Sequence, residues 1–292
     1  MRVRVVQRKE LASCEGSPWR DPGRRVFVDG ENVYVPVRDG FPCDRELPER
    51  RLYRGRGYQR LGSIVVVHGS RPTEEEIHSI VAWAHPQGIL WMRSIDGVTR
   101  MPSTELLYGT CGDVRHRENG CRYWLDPSRI MFAQGNRAER ARMERVVGER
   151  GRTERVADMC AGIGYFTISM ARAGAMVHAM EIAPVTFRYL LRTIEENHLS
   201  SRVKAACGDS RTLLTGTYDR FVIGHFDSLD LLPAALRHAE SDSILHVHTT
   251  GEGESAIRNA VASAGFSATL TMHRIKKYAP HRWHTVWDVV LA

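Results

Sequence analysis

The stretch Val156-Ala157-Asp158-Met159-Cys160-Ala161-Gly162-Ile163-Gly164-Tyr165-Phe166 decides the fold. Residues 156–159 read as a buried strand, the glycines as a tight turn, and residues 165–173 as a helix. A Gly-rich turn between strand and helix lets backbone approach a ligand at the carboxyl edge of a sheet. Downstream, strands at 176–180, 203–207, 221–223 and 243–248 alternate with helices at 184–197, 231–240 and 256–264. Repeated βα units predict a doubly wound parallel sheet. The last two strands, 268–275 and 284–291, have no helix between them, which predicts an antiparallel hairpin at the sheet edge.

Upstream the chain reads differently. A helix at 138–149 leads into the α/β region, so residues 131–292 form the expected catalytic domain. Residues 61–130 read as a smaller α+β domain for RNA binding or an auxiliary role. It has a strand at 62–67, a helix at 74–85 with Thr73 as N-cap, and short strands at 89–92, 98–100, 105–108, 114–118 and 122–125. Asn119-Gly120 is a hairpin signal between the last two. Residues 1–60 are Arg-, Pro- and Gly-rich, with one strand near Val33 to Val37 followed by a flexible basic segment.

The 292 residues suffice for two domains, and 42% hydrophobic with 26% charged residues is ordinary for a globular protein. The sequence carries neither a membrane-length apolar run nor a secretory signal. Six cysteines without a CxxC pair suit reduced thiols in the cytoplasm. A net charge of +7 suits a polyanion, and Arg45, Arg50, Arg51, Arg54, Arg56 and Arg60 concentrate it.

The turn is D-x-x-A-G-x-G, without the spacing of a pyrophosphate fingerprint, which weighs against NAD or FAD. Glu181 ends the second strand of the α/β region, where a carboxylate accepts from ribose hydroxyls. Asp209, before Ser210, follows the third, where it accepts from an adenine amino group. Three strand ends carrying these groups resemble the class I AdoMet-dependent transferases.

The resemblance narrows with further motifs: Glu105 to Gly109, His116-Arg117-Glu118-Asn119-Gly120, Leu125-Asp126, Gly135-Asn136 with Glu139-Arg140, and Lys277-Tyr278-Ala279-Pro280 with Trp283-His284. In this order, from about residue 61 to the end, they resemble two families acting on nucleotide 37 of tRNA. These are the guanine-N1 methyltransferases and the wybutosine-pathway aminocarboxypropyltransferases. The methyltransferases carry Asn-Leu-Pro where this chain has Ile223-Gly224-His225-Phe226. They also place an Arg-Thr pair before the hairpin, where this chain has residues 110–115 without it. His246-Val247-His248 is similar to the His-x-His of the second family. The resemblance therefore implies transfer of the 3-amino-3-carboxypropyl group of AdoMet to 4-demethylwyosine in the anticodon loop of tRNA(Phe), by a cytoplasmic monomer. Methyl transfer and non-catalytic tRNA binding are the alternatives.

It also implies the site. Arg140 holds the AdoMet carboxylate. Glu139 either orients Arg140 or accepts a proton from the product base. Ala133 stands where the family has Ser, leaving only a backbone contact. Asp158, Ala161, Gly162, Gly164, Glu181, Asp209 and Ser210 complete the AdoMet site, with Asn136 and His225 facing the substrate. Asn136 also suits a helix N-cap, the weightier of its two readings. His116 reads as a hairpin residue rather than a catalyst. His225, His246 and His248 lack a metal-binding spacing, so no metal is expected.

Overall fold

The computed structural model describes residues 1–48, 53–97, 100–279 and 282–292, with the side chain of residue 279 left aside. Arg50, Arg51, Val98 and Pro280 therefore lie outside the described residues. The chain packs as two compact units, Met1–Arg54 and Gly55–Ala292.

The first unit is more ordered than its composition suggests. It holds a four-stranded sheet of β1 (Arg2–Gln7), β2 (Phe27–Asp29), β3 (Asn32–Pro36) and β4 (Arg45–Glu46), in the order β2-β3-β1-β4. Val3, Val33, Val35 and Val37 are its buried apolar residues. Alternation over so few residues is too short to stand out in a sequence.

The second unit opens with β5 (Gln59–Leu61), β6 (Ile64–Val67), α1 (Glu74–Ala84), β7 (Gly88–Asp96) and β8 (Met101–Gly109), paired in the order β5-β6-β7-β8. Thr73 caps α1 by accepting from the Glu76 N–H at 3.2 Å, while Glu76 accepts from the Thr73 N–H at 2.9 Å. β7 and β8 form one long hairpin, and Arg100, expected in a strand, sits in its turn with φ +51°. Arg56 was expected in a flexible basic segment. Its guanidinium instead pairs with Glu76 at 3.1 Å and donates to the carbonyls of His68 and Ser70. Arg60 donates to the carbonyls of Gly62 and Ala84. Both are structural cations.

Then come β9 (Val114–Glu118), β10 (Cys121–Leu125) and α2 (Arg137–Gly148). Asn119 and Gly120 both take positive φ, 50° and 76°, as the tight hairpin turn requires. The N–H groups of Arg122 and Trp124 donate to Asn197 and Thr193, both carried by the segment that ends the later helix α4 (Pro184–Glu196). Side chains thus satisfy the edge of the hairpin.

The remaining elements are β11 (Arg155–Asp158), α3 (Thr167–Arg172), β12 (Met176–Glu181), α4, β13 (Val203–Cys207), α5 (Ser210–Leu213), β14 (Arg220–Ile223), α6 (Ser228–Leu236), β15 (Ile244–Thr250), α7 (Glu254–Ser263), β16 (Ala268–Ala279) and β17 (Arg282–Leu291). Their seven strands run β13-β12-β11-β14-β15-β17-β16, parallel except for β17 and its pairings. The expected terminal hairpin is present, and β16 is the edge strand. Order reverses between β11 and β14, which is where doubly wound sheets bind ligands. One core joins Leu61, Ile64, Val114 and Tyr123 to Val156, Ile163 and Val222, so it runs across residue 130. A second core, with Ala157, Phe221, Val247 and Val289, lies on the other side of the alternation. No helix among the described residues is long and apolar enough to cross a membrane.

Polar groups are buried in this sheet as pairs. Arg220, 2% exposed, bonds Glu154 through Nε at 3.0 Å and Nη2 at 3.1 Å, and its Nη1 lies 2.6 Å from His246 Nε2. Arg220→Ala leaves Glu154 as an unpaired buried charge. A loss of about 3–5 kcal/mol is expected in denaturant unfolding, and a loss within error would show that the pair carries no stability.

Candidate functional site

A cavity of about 380 Å³ opens at the carboxyl ends of β11, β12, β13 and β14. Its floor is the Gly-rich turn. Gly162 and Gly164 take φ of +60° and +97°, which side chains resist. A Cβ on Gly162 would lie 2.4 Å from the Tyr165 ring, so only glycine lets the turn close over that ring. The Tyr165 hydroxyl in turn donates to the Met131 carbonyl. The Asp158 carboxylate accepts from Thr167 Oγ1 at 2.6 Å beneath the turn, and burial raises its pKa to about 6.

Glu181 faces the turn across the cavity. Its Oε2 accepts from the Gly162 N–H at 2.9 Å and Oε1 from the Ala183 N–H at 2.8 Å. Each oxygen keeps a further acceptor position for a ligand. Burial raises its pKa despite these bonds. Asp209 caps α5 through the Arg211 N–H at 2.9 Å and holds the Arg211 guanidinium bidentately. That cation keeps Asp209 below the usual carboxylate range. Ser210 lines the cavity beside it. The cavity is thus acidic at the β12 and β13 side.

The opposite side is cationic, with Arg100, Arg129, Arg140 and Lys276 in the lining. Arg140 is 1% exposed. Its Nε donates to Glu118 Oε1 at 2.7 Å, and Nη2 stands 2.5 Å from the same oxygen, too poorly aligned for a hydrogen bond. Nη1 donates to the Ala133 carbonyl at 3.2 Å, and the guanidinium lies 5.1 Å from the Phe132 ring centre. Ala133 therefore contributes backbone, as its missing hydroxyl requires.

The expected site residues divide accordingly. Ala133, Asn136, Arg140, Gly162, Glu181, Asp209, Ser210 and His225 line the cavity, whereas Glu139, Asp158, Ala161 and Gly164 do not. Asp158 lies beneath the turn, and Ala161 and Gly164 belong to the turn without lining the cavity. Glu139 points elsewhere: its carboxylate holds Arg142 through bonds of 2.9 and 2.7 Å, and Arg142 continues to Asp288. Successive helical residues lie about 100° apart around the axis, so Glu139 and Arg140 face different sides. Glu139 thus does not orient Arg140; Glu118 does. Asn136 occupies the N-cap position of α2, as expected, but its side chain makes no capping bond, and its Oδ1 is buried without a partner among the described residues. It lines the cavity as well.

His225 Nε2 is likewise buried and unpartnered. His116 stacks edge-on against Phe132 at 4.8 Å, and burial beside Arg140 pushes its pKa down to about 4, so it is neutral. His246 bonds Asp288 at 2.6 Å, and His248 Nδ1 lies 3.0 Å from His284 Nε2. Among the described residues no group of three His, Cys, Asp or Glu could hold a metal ion. Burial and Asp158 raise the Cys160 thiol, so it offers no thiolate to the cavity.

Glu118, Phe226, Lys276 and His284 are members of this neighbourhood that sequence reasoning did not assign a role. Glu118 had one signal. It alternates with Val114 and His116 on the inward face of β9, and a buried carboxylate needs a cation.

Residues 114–274 match the model of the TRM5/TYW2 methyltransferase domain. A tRNA(Phe) (4-demethylwyosine(37)-C(7)) aminocarboxypropyltransferase of Methanocaldococcus jannaschii is 32% identical over 79% of this chain and 96% of its own. The protein of that description from Pyrococcus horikoshii is 33% identical over 84% and 93%. The crystal structure of P. horikoshii TYW2 in complex with MeSAdo superposes with a TM-score of 0.71 at 29% identity, over 84% of this chain and 91% of that one.

Glu181 keeps an acceptor position on each oxygen, and accepting from ligand hydroxyls there requires its ionised form. Because burial raises its pKa, AdoMet affinity should fall on acidification at a higher pH than an ordinary glutamate would give. Glu181→Gln should flatten that profile while lowering affinity at neutral pH by about 1.5–3 kcal/mol per charged bond lost. Calorimetry giving the same pH profile for both proteins would remove Glu181 from the site.

Proposed function

The chain belongs to the TRM5/TYW2 family, and on that premise we propose that it transfers the 3-amino-3-carboxypropyl group of AdoMet to 4-demethylwyosine at position 37 of tRNA(Phe). Methylthioadenosine is the by-product. The observation that carries this reading is the polarised cavity. Acidic acceptors at the ends of β12 and β13 suit a nucleoside, and cations on the far side suit a carboxylate and a polyanion. Gly224-His225-Phe226 after β14, in place of Asn-Leu-Pro, supports the aminocarboxypropyl assignment over methyl transfer.

A sulfonium is already an activated donor and the acceptor is an electron-rich ring, so the protein's work is positioning. Glu181 and Asp209 receive the ribose hydroxyls and the adenine amino group. The Gly162–Gly164 turn and Ser210 bring backbone against the nucleoside. Arg140, locked by Glu118 and the Ala133 carbonyl, offers its remaining N–H toward the donor carboxylate and so aims the Cγ–S bond at the base. Asn136 and His225, each with an unpartnered buried polar atom, receive the edge of the acceptor. No metal takes part. Residues 61–130 serve the RNA and residues 131–292 the chemistry within one packed unit, and the sheet of Met1–Arg54 precedes them in sequence. The enzyme works in the cytoplasm as a monomer on the anticodon loop.

Arg140→Lys keeps charge but loses the planar fork. Transfer rate should fall by about a hundredfold or more, as small misplacements do, with only a modest change in AdoMet affinity. Mass spectrometry of the tRNA and chromatography of the nucleoside by-product test the reaction itself. A tRNA gaining one aminocarboxypropyl group, with methylthioadenosine released, is expected. Release of S-adenosylhomocysteine with a methylated tRNA would replace this reading by methyl transfer.

A further inference from the structure

We propose that Phe226, His284 and Lys276 form the subsite for the acceptor nucleotide, with the base against Phe226, its edge at His284 Nδ1 and a neighbouring phosphate at Lys276. This rests on the tRNA reading above and locates that substrate within the cavity, whose lining includes all three residues.

His284, on β17, is 2% exposed. Its Nε2 is occupied by His248 at 3.0 Å, while Nδ1 is buried without a partner among the described residues. Burying such an atom unpaired costs about 1–3 kcal/mol, a cost removed when a ligand completes the bond. Burial, then Lys276 and Arg100, push the His284 pKa down to about 4, so the ring is neutral and can serve a neutral base edge. Phe226 packs edge-to-face on His284 at 5.2 Å and on Tyr278 at 5.1 Å. The Arg100 guanidinium lies 5.0 Å from the Phe226 ring centre. Phenyl rings and guanidinium planes are the surfaces on which splayed-out RNA bases stack.

Lys276, on β16, is half-buried and has no ion pair among the described residues. Its stem passes over Gly135, where a Cβ would come 2.7 Å from Lys276 Cδ; glycine there makes the room. Burial with Arg100 and Arg140 nearby lowers its pKa, the situation of a cation waiting for an anion. Two anions could answer it, the donor carboxylate near Arg140 and a phosphate of the acceptor. Glu181 ends β12, whereas β16 is the edge strand on the other side of the switch point. The donor nucleoside occupies the β12 and β13 end, so the β17 and β16 end is left to the acceptor and its phosphates.

The test compares two otherwise identical tRNAs, one carrying 4-demethylwyosine at position 37 and one carrying guanine. Wild type should prefer the tricyclic base, and Phe226→Leu should shrink the preference about tenfold, the size of one stacking contact. Lys276→Gln should make the slope of log affinity against log salt shallower by about 0.7, one phosphate contact of a single strand. Lys276→Arg should restore it. AdoMet affinity, measured by calorimetry on each variant, should stay at the wild-type value and report an intact fold. An unchanged base preference in Phe226→Leu, or an unchanged slope in Lys276→Gln, overturns the subsite. So does a Lys276→Gln protein that weakens AdoMet but not methylthioadenosine, which lacks the carboxylate, since that places Lys276 on the donor. The by-product of the wild-type reaction is read separately, so a methyl-transfer outcome would refute the chemistry and leave these binding measurements to stand on their own.

Discussion

The buried ion pair between Arg140 and Glu118 fixes the β9–β10 hairpin to α2 at the cavity, alongside the Asn119–Arg137 bonds and a shared apolar core. Glu118 closes β9 before the Asn119-Gly120 turn, Arg140 lies in the first turns of α2, and the Ala133 carbonyl between them takes a second bond. Both side chains are almost wholly removed from water. Taking either charge alone out of water would cost several kcal/mol, so the hairpin and the helix can only be assembled in the register that joins them. The guanidinium that results is clamped on one edge and borders the cavity on another. Such a group does not have to be ordered when a ligand arrives.

A second set of buried charges does the equivalent work at the other end of the sheet. Glu139 holds Arg142, Arg142 holds Asp288 on β17, and Asp288 accepts from His246 on β15, which reaches Arg220 and Glu154. His246 and Arg142 hold Asp288 far below the usual carboxylate range. Its stabilising contribution is therefore present above the ordinary aspartate pKa and disappears only as pH falls well below it. The chain of bonds pins α2 to the antiparallel hairpin of the sheet. His284 lies on the same strand as Asp288, four residues earlier, and α2, which this network ties to that strand, also carries Arg140.

Between these anchors, charge at the cavity follows strand order in part. Carboxylates follow β12, β13 and β14, with Asp209 already paired to Arg211, backbone N–H groups surround the turn after β11, and further cations arrive from α2, the β7–β8 turn and β16. On the same lining, polar atoms of Asn136, Arg140, His225 and His284 are buried with no partner among the described residues. Such atoms are costly to bury unpaired.

The sequence by itself determined most of the elements and the groups at the carboxyl edge of the sheet. Glycines at 162 and 164, an acid at each of two strand ends and the βα alternation are local patterns, and the backbone geometry they require is local too. The Asn119-Gly120 turn and the Thr73 cap were legible for the same reason. What only the tertiary structure decided is which side chains meet. The sequence reads Glu139-Arg140 as neighbours, yet a helix points them to different sides, and Arg140 finds Glu118, 22 positions earlier. Asn136 reads as a cap and holds that position, yet its side chain makes no capping bond and the residue lines the cavity. Of the sheet within Met1–Arg54 only the strand near Val33 to Val37 was legible, because the others are short and irregular. Lys276, Phe226 and His284 converge only because β16 and β17 fold back beside β15, a long-range pairing that no periodicity records.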